Sequence, residues 1–370
     1  MVNIEEVLSR IEENGFEAYI VGGYVRDYLL GIESSDIDIC TNAKVKDLMN
    51  IFSDIPLTPA EYGSVKIITN TLRIDITTYR RDLKYNGSRR KVEVEYVDNL
   101  IDDVNRRDFT MNTLCMSKDG SIIDILNGKK DIEDKLIRCV GNIYDRINED
   151  PLRMLRAVRF ATVLGFRIEE KLYEALKNNK DLLKELSRER IKDEITKILV
   201  SNNALYGLQL LKDLDYLDII GISYDNIVNV SDICGMYSQL KISKDFPFSK
   251  EEKKNIDDIR KILKHGDIDN VILFNYGLYV SMVAGEILGI DKDVISKMYK
   301  NLPIMEKKDL AITSEEICDI LNIEPCKVIS TVQKKLDDLI LRNVLKNDNT
   351  VIRNYIVHNR EKWLNEGSGL

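Results

Sequence analysis

The first 140 residues alternate between helix-period and strand-period hydrophobic patterns, which predicts a mixed α/β region. An amphipathic helix is predicted over residues 4–14, and a β-rich run over 17–21 leads into a Gly22-Gly23 turn. A second helix over residues 24–30 is predicted to stop at Gly31, because glycine suits a helix C-cap. Alternating charged and apolar positions predict strands at 36–40, 65–69, 72–78 and 92–97, with a hairpin turn at Asn70-Thr71.

After about Glu149 the strand pattern almost disappears and helix-period stretches follow one another. The longest of these stretches cover residues 151–164, 169–178, 189–200 and 205–214. Neither an internal repeat nor a low-complexity linker interrupts the sequence. The pattern therefore predicts an α+β protein, in which an N-terminal head with a small mixed sheet precedes an all-helical remainder.

Composition narrows the class of protein. The chain has 370 residues, of which 44% are hydrophobic and 31% charged, as in soluble globular proteins. We expect no apolar run long enough to span a bilayer and therefore no membrane partner. The acidic start of the chain lacks the basic residues and apolar core of a secretion signal, so the expected location is cytoplasmic.

Cysteine and histidine usage argues against two kinds of metal site. The six cysteines are scattered without a CxxC pair, which indicates reduced thiols and no zinc knuckle. The two histidines, His265 and His358, are too few and too far apart in sequence for a histidine-rich metal site. A metal site in this chain is expected to use carboxylates.

The formal net charge of −8 argues against a protein that coats nucleic acid indiscriminately. It leaves room for a nucleic acid held on one basic face. Candidates for such a face are lysines in the helical remainder, namely Lys253, Lys254, Lys261, Lys264, Lys307 and Lys308.

Asp36 and Asp38 are the strongest candidate metal ligands. Side chains at i and i+2 of a strand point to the same face, so the two carboxylates are expected side by side. Like charges held together favour a cation between them, and Mg²⁺ prefers hard oxygen ligands. The alternative is a solvated pair in a surface loop. Asp75, on the strand predicted over 72–78, is a third candidate carboxylate, which would act as a metal ligand or a general base. The alternative is an ordinary surface carboxylate on a hairpin.

The Gly22-Gly23 turn precedes this acidic pair by only a few residues. Glycines let backbone N–H groups approach a phosphate closely, and the N-terminus of the following helix favours negative charge. Arg26 lies one turn into that helix and can reach the same phosphates. An ordinary strand-to-helix turn is the alternative, but its closeness to the acidic pair favours a nucleotide phosphate site.

Two further clusters combine arginine with aspartate. Arg107 and Asp108 precede a predicted helix and are suited to phosphate and ribose oxygens, or to an N-cap with surface arginines. A second series recurs every three residues along a predicted helix and consists of Asp150, Arg153, Arg156 and Arg159. An aspartate acceptor beside an arginine donor matches the amino group and ring nitrogen of cytosine and adenine. A surface helix with ion pairs is the alternative reading of this series.

Taken together, the stretches GGYVRDYLLG, SDIDI, DITTYR, NRRDFTMN, EDPLRMLRAVRFATVLGF and ERIKDEITKIL resemble one known family. That family is the class II tRNA nucleotidyltransferases, or CCA-adding enzymes, with their bacterial poly(A) polymerase relatives. The resemblance implies a polymerase-β-like catalytic head at 1–140, a nucleotide-selecting neck at 141–200, an RNA-binding body at 201–300 and an RNA-binding tail at 301–370.

The resemblance also implies roles for individual residues. Asp36 and Asp38 match the ligands of Mg²⁺, and Asp75 corresponds to a third catalytic carboxylate. The implied nucleotide-binding residues are those of the turn and the arginine clusters, namely Gly22, Gly23, Arg26, Arg107, Asp108, Asp150, Arg153, Arg156 and Arg159. Asp108 lies in the ribose-recognition motif, and Asp150 with Arg153 matches the amino-acid template that reads the base.

The activity implied is addition of C, C and A to the 3′ end of tRNA from CTP and ATP, with release of pyrophosphate. The basic loop at 79–90 favours adenosine addition, because enzymes that add only cytidines tend to lack it. Three alternatives remain open from the sequence: an enzyme that adds only the terminal adenosine, a bacterial poly(A) polymerase, and a non-catalytic nucleotide- or RNA-binding module.

Overall fold

The structure is a computed structural model that describes residues 3–60, 63–68, 73–82, 94–361 and 363. The chain forms two compact units. The first comprises Met1–Ile222 with Ser243–Phe246, and the second comprises Ser223–Ile242 with Pro247–Leu370.

The first unit begins with a mixed α/β part. Its strands are β1 (Ala18–Val21), β2 (Asp36–Thr41), β3 (Leu57–Ala60), β4 (Ser64–Ile68), β5 (Arg73–Thr78), β6 (Arg80–Asp82), β7 (Val94–Tyr96), β8 (Cys115–Met116) and β9 (Ile122–Ile123). Its helices are α1 (Ile4–Glu13), α2 (Gly23–Leu30), α3 (Val45–Ile51), α4 (Leu100–Asn105) and α5 (Gly128–Glu133), with a 3-10 turn at Thr110–Asn112.

Among the described residues, seven strands form one sheet in the order β3-β4-β5-β2-β1-β8-β9. The β2–β5 pair is parallel, and the other neighbouring pairs of this sheet are antiparallel. β6 and β7 form a separate antiparallel pair. The core includes a cluster of Val21, Cys40, Tyr79, Val104 and Cys115. The predicted small mixed sheet is confirmed.

The rest of the first unit is almost entirely helical. Its helices are α6 (Ile143–Glu149), α7 (Leu152–Leu164), α8 (Glu170–Asn178), α9 (Arg188–Leu199), α10 (Ala204–Asp213) and α11 (Leu217–Ile220), with a 3-10 segment at Lys180–Glu185. α7 packs against both α9 and α10. Two very short strands, β10 (Leu136–Ile137) and β11 (Arg167–Ile168), pair in parallel on either side of α6 and α7 in sequence.

The second unit is a set of helices. They are α12 (Ile233–Ser238), α13 (Lys250–His265), α14 (Asn270–Leu288), α15 (Lys292–Lys300), α16 (Ser314–Leu321), α17 (Lys327–Leu341) and α18 (Asn349–His358), with a 3-10 turn at Lys307–Asp309. The two-residue strands β12 (Ile222–Ser223) and β13 (Lys241–Ile242) lie where the chain passes between units. Sequential helices pack together, as α12 on α13, α13 on α14 and α14 on α15.

α14 contradicts the expectation that the chain has no apolar run long enough to span a bilayer. This helix is long and apolar enough, by length and composition, to cross a membrane, so the prediction that no such run exists is wrong. A helix buried in a protein core meets the same criterion, and α14 packs against α13, α15 and α17. It is also broken at Gly277, whose backbone has φ 77° and ψ 172°. α14 therefore consists of two shorter helical pieces inside the helical unit.

Most predicted elements occur within a residue or two of their expected ends. The helix over 4–14 is Ile4–Glu13, and the helix over 24–30 starts one residue earlier, at Gly23, and is capped by Gly31 at φ 68°. α3, α4, α5, α6, β3, β6 and the two-residue strands were not predicted, and the helix expected after Asp108 is a 3-10 turn at Thr110–Asn112. The hairpin turn at Asn70-Thr71 and most of the basic loop at 79–90 lie outside the described residues.

Candidate active site

Two neighbouring parallel strands bring the candidate carboxylates together. The register of β2 and β5 sets Asp38 opposite Asp75 and Asp36 opposite Arg73. Side chains alternate along a strand, so Asp36 and Asp38 share one face while Ile37 and Ile39, each 1% exposed, enter the core. The sequence pattern thus places a pair of carboxylates on one face of the sheet, with a third beside them.

Asp38 lies in an unfavourable environment for a negative charge. Its side chain reaches solvent, yet the surrounding protein still removes water, and this desolvation raises the pKa of its carboxyl group. Arg107 acts in the opposite direction, whereas the charges of Asp75 and Asp36 raise the pKa further. Asp75 accepts a hydrogen bond from Lys66 Nζ at 3.2 Å through Oδ2, while its buried Oδ1 has no hydrogen-bond partner.

The glycine turn meets this acidic group directly. Gly22 has φ 79°, a conformation that glycine adopts without strain, and it precedes the first residue of α2. A Cβ atom on Gly22 would lie 3.6 Å from both Asp38 Oδ2 and Arg107 Nη1. No side chain caps the start of α2, so its first backbone N–H groups are available to an anion.

Arg107 is held by an acid that the sequence reasoning missed. Its Nη2 donates to Oδ2 of the fully buried Asp103, one helical turn earlier, at 2.9 Å. Burial by itself would lower the pKa of Arg107, but Asp103 raises it above its ordinary value. Burial likewise opposes the ionised form of Asp103, whose pKa is nevertheless lowered by Arg107 and Arg106. The spacing i, i+4 within 103–107 was the available signal.

Asp108 is buried and surrounded by donors. Its Oδ1 accepts from the backbone N–H of Phe109 at 2.8 Å and from Asn112 at 3.0 Å. Its Oδ2 accepts from Arg156 Nε at 2.7 Å. Burial favours the neutral carboxyl, but Arg156 and Asn112 together lower the pKa of Asp108 to about 2. Asp108 and Arg156, which come from the two predicted clusters, thus form one ion pair.

The side chain of Arg26 points into the protein. It is 8% exposed, donates to its neighbour Asp27, and donates through Nη1 to Asn112 Oδ1 at 2.8 Å. Its guanidinium also lies 5.1 Å from the ring centre of Phe160. The same ring is approached by Arg156 at 5.3 Å and Arg159 at 4.1 Å. The ring of Phe160 therefore contacts three arginine side chains, and the sequence pattern of the predicted helix did not indicate these cation–π contacts.

Asp150 lies just before α7 and not on it. It caps the C-terminus of α6 in extended conformation, and Pro151 precedes the first residue of α7. The expected helical series therefore begins with Arg153, and the spacing of Asp150 within it was misleading. Both carboxylate oxygens of Asp150 accept from Arg190 Nη2 on α9, at 3.0 and 3.1 Å. Arg190 was not singled out from the sequence.

The three arginines of α7 have different partners. Arg153 donates to the backbone carbonyls of Arg107 at 3.2 Å and Arg106 at 2.9 Å. Arg156 pairs with Asp108, as described above, and Arg159 Nε lies 2.7 Å from the nearly buried Glu194 of α9. Burial lowers the pKa of Arg159, although Glu194 opposes that shift. The series thus connects α7 with the Arg106–Asp108 segment at one end and with α9 at the other.

The carboxylates fit a divalent cation as a partial ligand set. Asp36 and Asp38 offer hard oxygen atoms on one face, and the unpartnered Oδ1 of Asp75 lies on the neighbouring strand. Across the described ranges, no group of three or more His, Cys, Asp or Glu side chains is already arranged around one metal position. A cation bound here would draw its remaining ligands from substrate oxygens and water.

Comparisons with known families match three successive parts of the chain. Residues 18–138 match a poly(A) polymerase head domain. Residues 165–221 match a probable RNA and SrmB-binding site of polymerase A, and residues 232–356 match tRNA nucleotidyltransferase domain 2. The first match contains the carboxylates and the glycine turn.

Relatives of similar length are similar to this sequence over nearly all of it. The CCA-adding enzyme of Ligilactobacillus salivarius is 32% identical over 97% of this chain and 96% of its own length. The CCA-adding enzyme of Pediococcus pentosaceus is 32% identical over 95% of this chain and 96% of its own length. Among solved structures, the Bacillus stearothermophilus CCA-adding enzyme in complex with CTP shares the fold, with a TM-score of 0.85 over 98% of both chains at 24% identity.

Proposed function

Since this chain belongs to the CCA-adding enzymes, a family of tRNA nucleotidyltransferases, we propose that it adds C, C and A stepwise to the 3′ end of tRNA. CTP and ATP are the substrates, and pyrophosphate is the leaving group. The observation that carries the proposal is the meeting of Asp38, the Gly22 turn and Arg107 at one point beside Asp75. Carboxylates for a metal and donors for a triphosphate are what nucleotidyl transfer requires.

We assign Asp36 and Asp38 as the ligands of Mg²⁺, with Asp75 beside them as a third carboxylate. When bound, Mg²⁺ neutralises charge on the phosphate oxygens and orients the reacting groups. The unpartnered Oδ1 of Asp75 is suited to accept a hydrogen bond from the attacking 3′-hydroxyl or to join the ligand set. The pKa of Asp38 is raised, and a bound cation would stabilise the ionised form of its carboxyl group.

The triphosphate would lie against the turn at Gly22 and Gly23. Backbone N–H groups at the start of α2 and the guanidinium of Arg107 supply donors for its oxygens. Arg26 lies behind this turn, bonded to Asn112, and contributes positive potential there. Asp108 with its partner Arg156 is the candidate ribose contact. The residues thus hold the nucleotide so that its α-phosphate faces the carboxylates.

Base selection is proposed for Asp150 and Arg153. Cytosine and adenine present an amino donor beside a ring acceptor, which an aspartate acceptor and an arginine donor match. Uracil and guanine present a carbonyl in place of the amino group, so Asp150 would face another acceptor. Arg153 lies next to the Arg106–Asp108 segment through its bonds to the carbonyls of Arg106 and Arg107.

The domain assignment is part of the same proposal. We assign residues 1–140 as the catalytic head, 141–200 as the nucleotide-selecting neck, 201–300 as the body and 301–370 as the tail, the last two binding RNA. The proposed location is the cytoplasm, where tRNA and both nucleotides are present.

The test uses three tRNA transcripts that end before CCA, after C and after CC. Each is incubated with Mg²⁺, CTP and ATP and resolved at single-nucleotide length, with EDTA as the control. We expect all three to reach a discrete CCA end, and EDTA to abolish the reaction. Extension of the CC-ended transcript alone would instead identify an enzyme that adds the terminal adenosine. A long ladder with ATP on any RNA would identify a poly(A) polymerase, and no extension at all would contradict catalysis.

A further inference from the structure

The carboxylate of Asp150 is not fixed by its own backbone. It belongs to the extended residue between α6 and α7, so no helix holds its side chain in one direction. The groups that fix it are the backbone N–H of Leu152, at 3.1 Å from Oδ1, and Arg190 of α9, which reaches both oxygens. We infer that Arg190 is a positioning residue for nucleotide selection, which acts by orienting Asp150; the inference rests on the proposed function.

The pattern of bonds leaves one specific acceptor position. An ionised carboxylate has about four lone-pair positions and donates nothing. Oδ1 of Asp150 already accepts from Leu152 and Arg190, whereas Oδ2 accepts from Arg190 alone. Oδ2 therefore retains acceptor capacity for the amino group of cytosine or adenine. The N–H of Leu152 thus distinguishes the two oxygens, and Arg190 limits the direction in which the carboxylate faces.

α9 is itself held in place, which fixes the position of Arg190 beside Asp150. Its N-cap Ser187 accepts from the N–H of Arg190 itself, which anchors the first turn. One turn further, Glu194 is 3% exposed and pairs with Arg159 of α7. Arg190 and Glu194 lie one turn apart on α9 and bind Asp150 and Arg159, respectively. α9 itself packs against α7.

Without Arg190, Asp150 would keep the bond from the Leu152 N–H to Oδ1 but would lose the contact that directs Oδ2. Arg153 would stay in place, because it is held by the carbonyls of Arg106 and Arg107. An arginine alone can donate to a carbonyl of uracil or guanine as readily as to a ring nitrogen. Discrimination therefore depends on a correctly placed acceptor at Asp150. The consequence is a loss of selectivity that exceeds the loss of triphosphate binding.

The experiment compares wild type with Arg190→Met, which keeps the length and apolar stem of the side chain but removes its charge and donors. Single-turnover kcat/KM is measured for CTP and UTP on a transcript ending before CCA, and for ATP and GTP on one ending after CC. Arg190→Lys, which keeps a charge and a donor, is the rescue variant. Arg188→Met is the matched control, because Arg188 lies on the same helix but pairs with Asp245.

We expect Arg190→Met to reduce the ratio of kcat/KM for CTP over UTP by between about 5-fold and about 100-fold, the range of one well-formed base contact. Arg190→Lys should recover part of the ratio, and Arg188→Met should leave it unchanged. If the methionine variant does not fold, the comparison of Arg190→Lys with Arg190→Gln replaces it, with the lower ratio expected for glutamine.

An equal loss of kcat/KM for all four nucleotides, or an equal change in Arg188→Met, would overturn the inference, since a merely structural role predicts both. The wild-type reaction separates this failure from failure of the proposed function. If wild type extends the transcripts with CTP and the ratio in Arg190→Met is unchanged, the inference alone is wrong. If wild type incorporates no nucleotide, the proposed function is wrong.

Discussion

At the scale of single residues, Asp38 combines a cost to stability with a proposed role in catalysis. Desolvation and the charges of Asp75 and Asp36 disfavour its ionised form, against the attraction of Arg107. Such a residue is expected to be retained for function, since an uncharged residue would suit the folded protein at least as well.

We therefore predict opposite effects of Asp38→Asn on activity and stability. Nucleotide incorporation should fall by at least about 100-fold, because metal-assisted charge stabilisation contributes several kcal/mol. The free energy of unfolding, measured by urea titration without added metal, should not decrease. Asp98→Asn, at an exposed carboxylate of the same part of the chain, is the control and should keep wild-type activity. Activity of Asp38→Asn within a few-fold of wild type would contradict the proposed role.

Asp108 allows a prediction about pH. Its pKa is lowered to about 2, so its ionised form stabilises the folded state. This contribution is fully present above its unfolded pKa of about 4 and is lost as the pH falls through about 2. Asp108→Asn should therefore lower the free energy of unfolding at pH 7 by about 2 kcal/mol, and the difference from wild type should shrink between about pH 4 and about pH 2. Urea titrations across this range would test it, and a difference independent of pH would argue against the ion pair with Arg156.

Residue roles were predictable where a short motif carries its own chemistry. Asp36, Asp38 and the Gly22 turn could be singled out because alternation and spacing in one segment already place them. Arg190 and Glu194 could not, because each acts through a side chain from a different element, whereas Asp103 was missed although its i, i+4 spacing from Arg107 was visible. Asp150 shows the limit clearly, since its spacing from Arg153 suggested one helix, and Pro151 in fact separates it from α7.

At the scale of elements, the turn between β1 and α2 carries the nucleotide proposal. Its geometry depends on a residue that tolerates positive φ and takes up almost no space beside Asp38 and Arg107. The opposite end of the same helix has another glycine at positive φ, Gly31, which lies in the left-handed helical region with ψ 26°, whereas Gly22 has ψ −134°. A Cβ atom built on Gly31 would meet no other atom within 4 Å.

This pair of glycines provides a matched test. Both substitutions place alanine at positive φ, so Gly31→Ala, in the left-handed helical region, should destabilise the protein by about 1 kcal/mol, and Gly22→Ala, at ψ −134°, should destabilise it by more. Only Gly22→Ala should also raise the KM for CTP and ATP, by about 10-fold or more, since its methyl group would occupy the side of the turn where phosphate is proposed to bind. Thermal unfolding and steady-state kinetics measure the two effects. An equal KM in both variants would show that the turn does not contact the nucleotide.

The elements themselves were largely predictable from periodicity. Long helices such as α9 and α10 have clear apolar faces, and the strands of the sheet alternate charged and apolar residues. α3, β3 and the two-residue strands were missed because short elements depend on their partners more than on their own pattern. The break of α14 at Gly277 was also missed, because an isolated glycine within an apolar run gives no sign of its backbone angles.

At the scale of the whole molecule, the net charge of −8 conflicts with an RNA substrate unless basic residues are segregated. The candidate lysines differ in whether an acidic side chain pairs with them. Lys261 pairs with Asp258 at 2.7 Å and Lys308 pairs with Glu306 at 2.8 Å. Lys253 and Lys254 of α13 are exposed, and the described residues give neither an ion pair.

We predict that Lys253→Gln with Lys254→Gln weakens binding of tRNA more than Lys261→Gln with Lys308→Gln does. The first double variant should also make the dependence of log Kd on log salt concentration shallower by about 1 to 2, because each phosphate contact contributes about 0.9 to that slope. Binding is measured by fluorescence anisotropy at several salt concentrations. Equal slopes in the two double variants would contradict a specific role of Lys253 and Lys254 in RNA binding.

The parallel pairing of β2 with β5 has a consequence for how activity is acquired during folding. Parallel neighbours cannot be joined by a tight turn, and here the chain passes through α3, β3 and β4 before β5 returns beside β2. Asp38 and Asp75 thus become neighbours only after a loop of many residues has closed, a step whose entropic cost slows folding. During synthesis, a nascent chain that has released β2 already carries the Asp36–Asp38 motif without a completed centre. The carboxylate centre should therefore form in one step, when the strand that carries Asp75 joins the sheet.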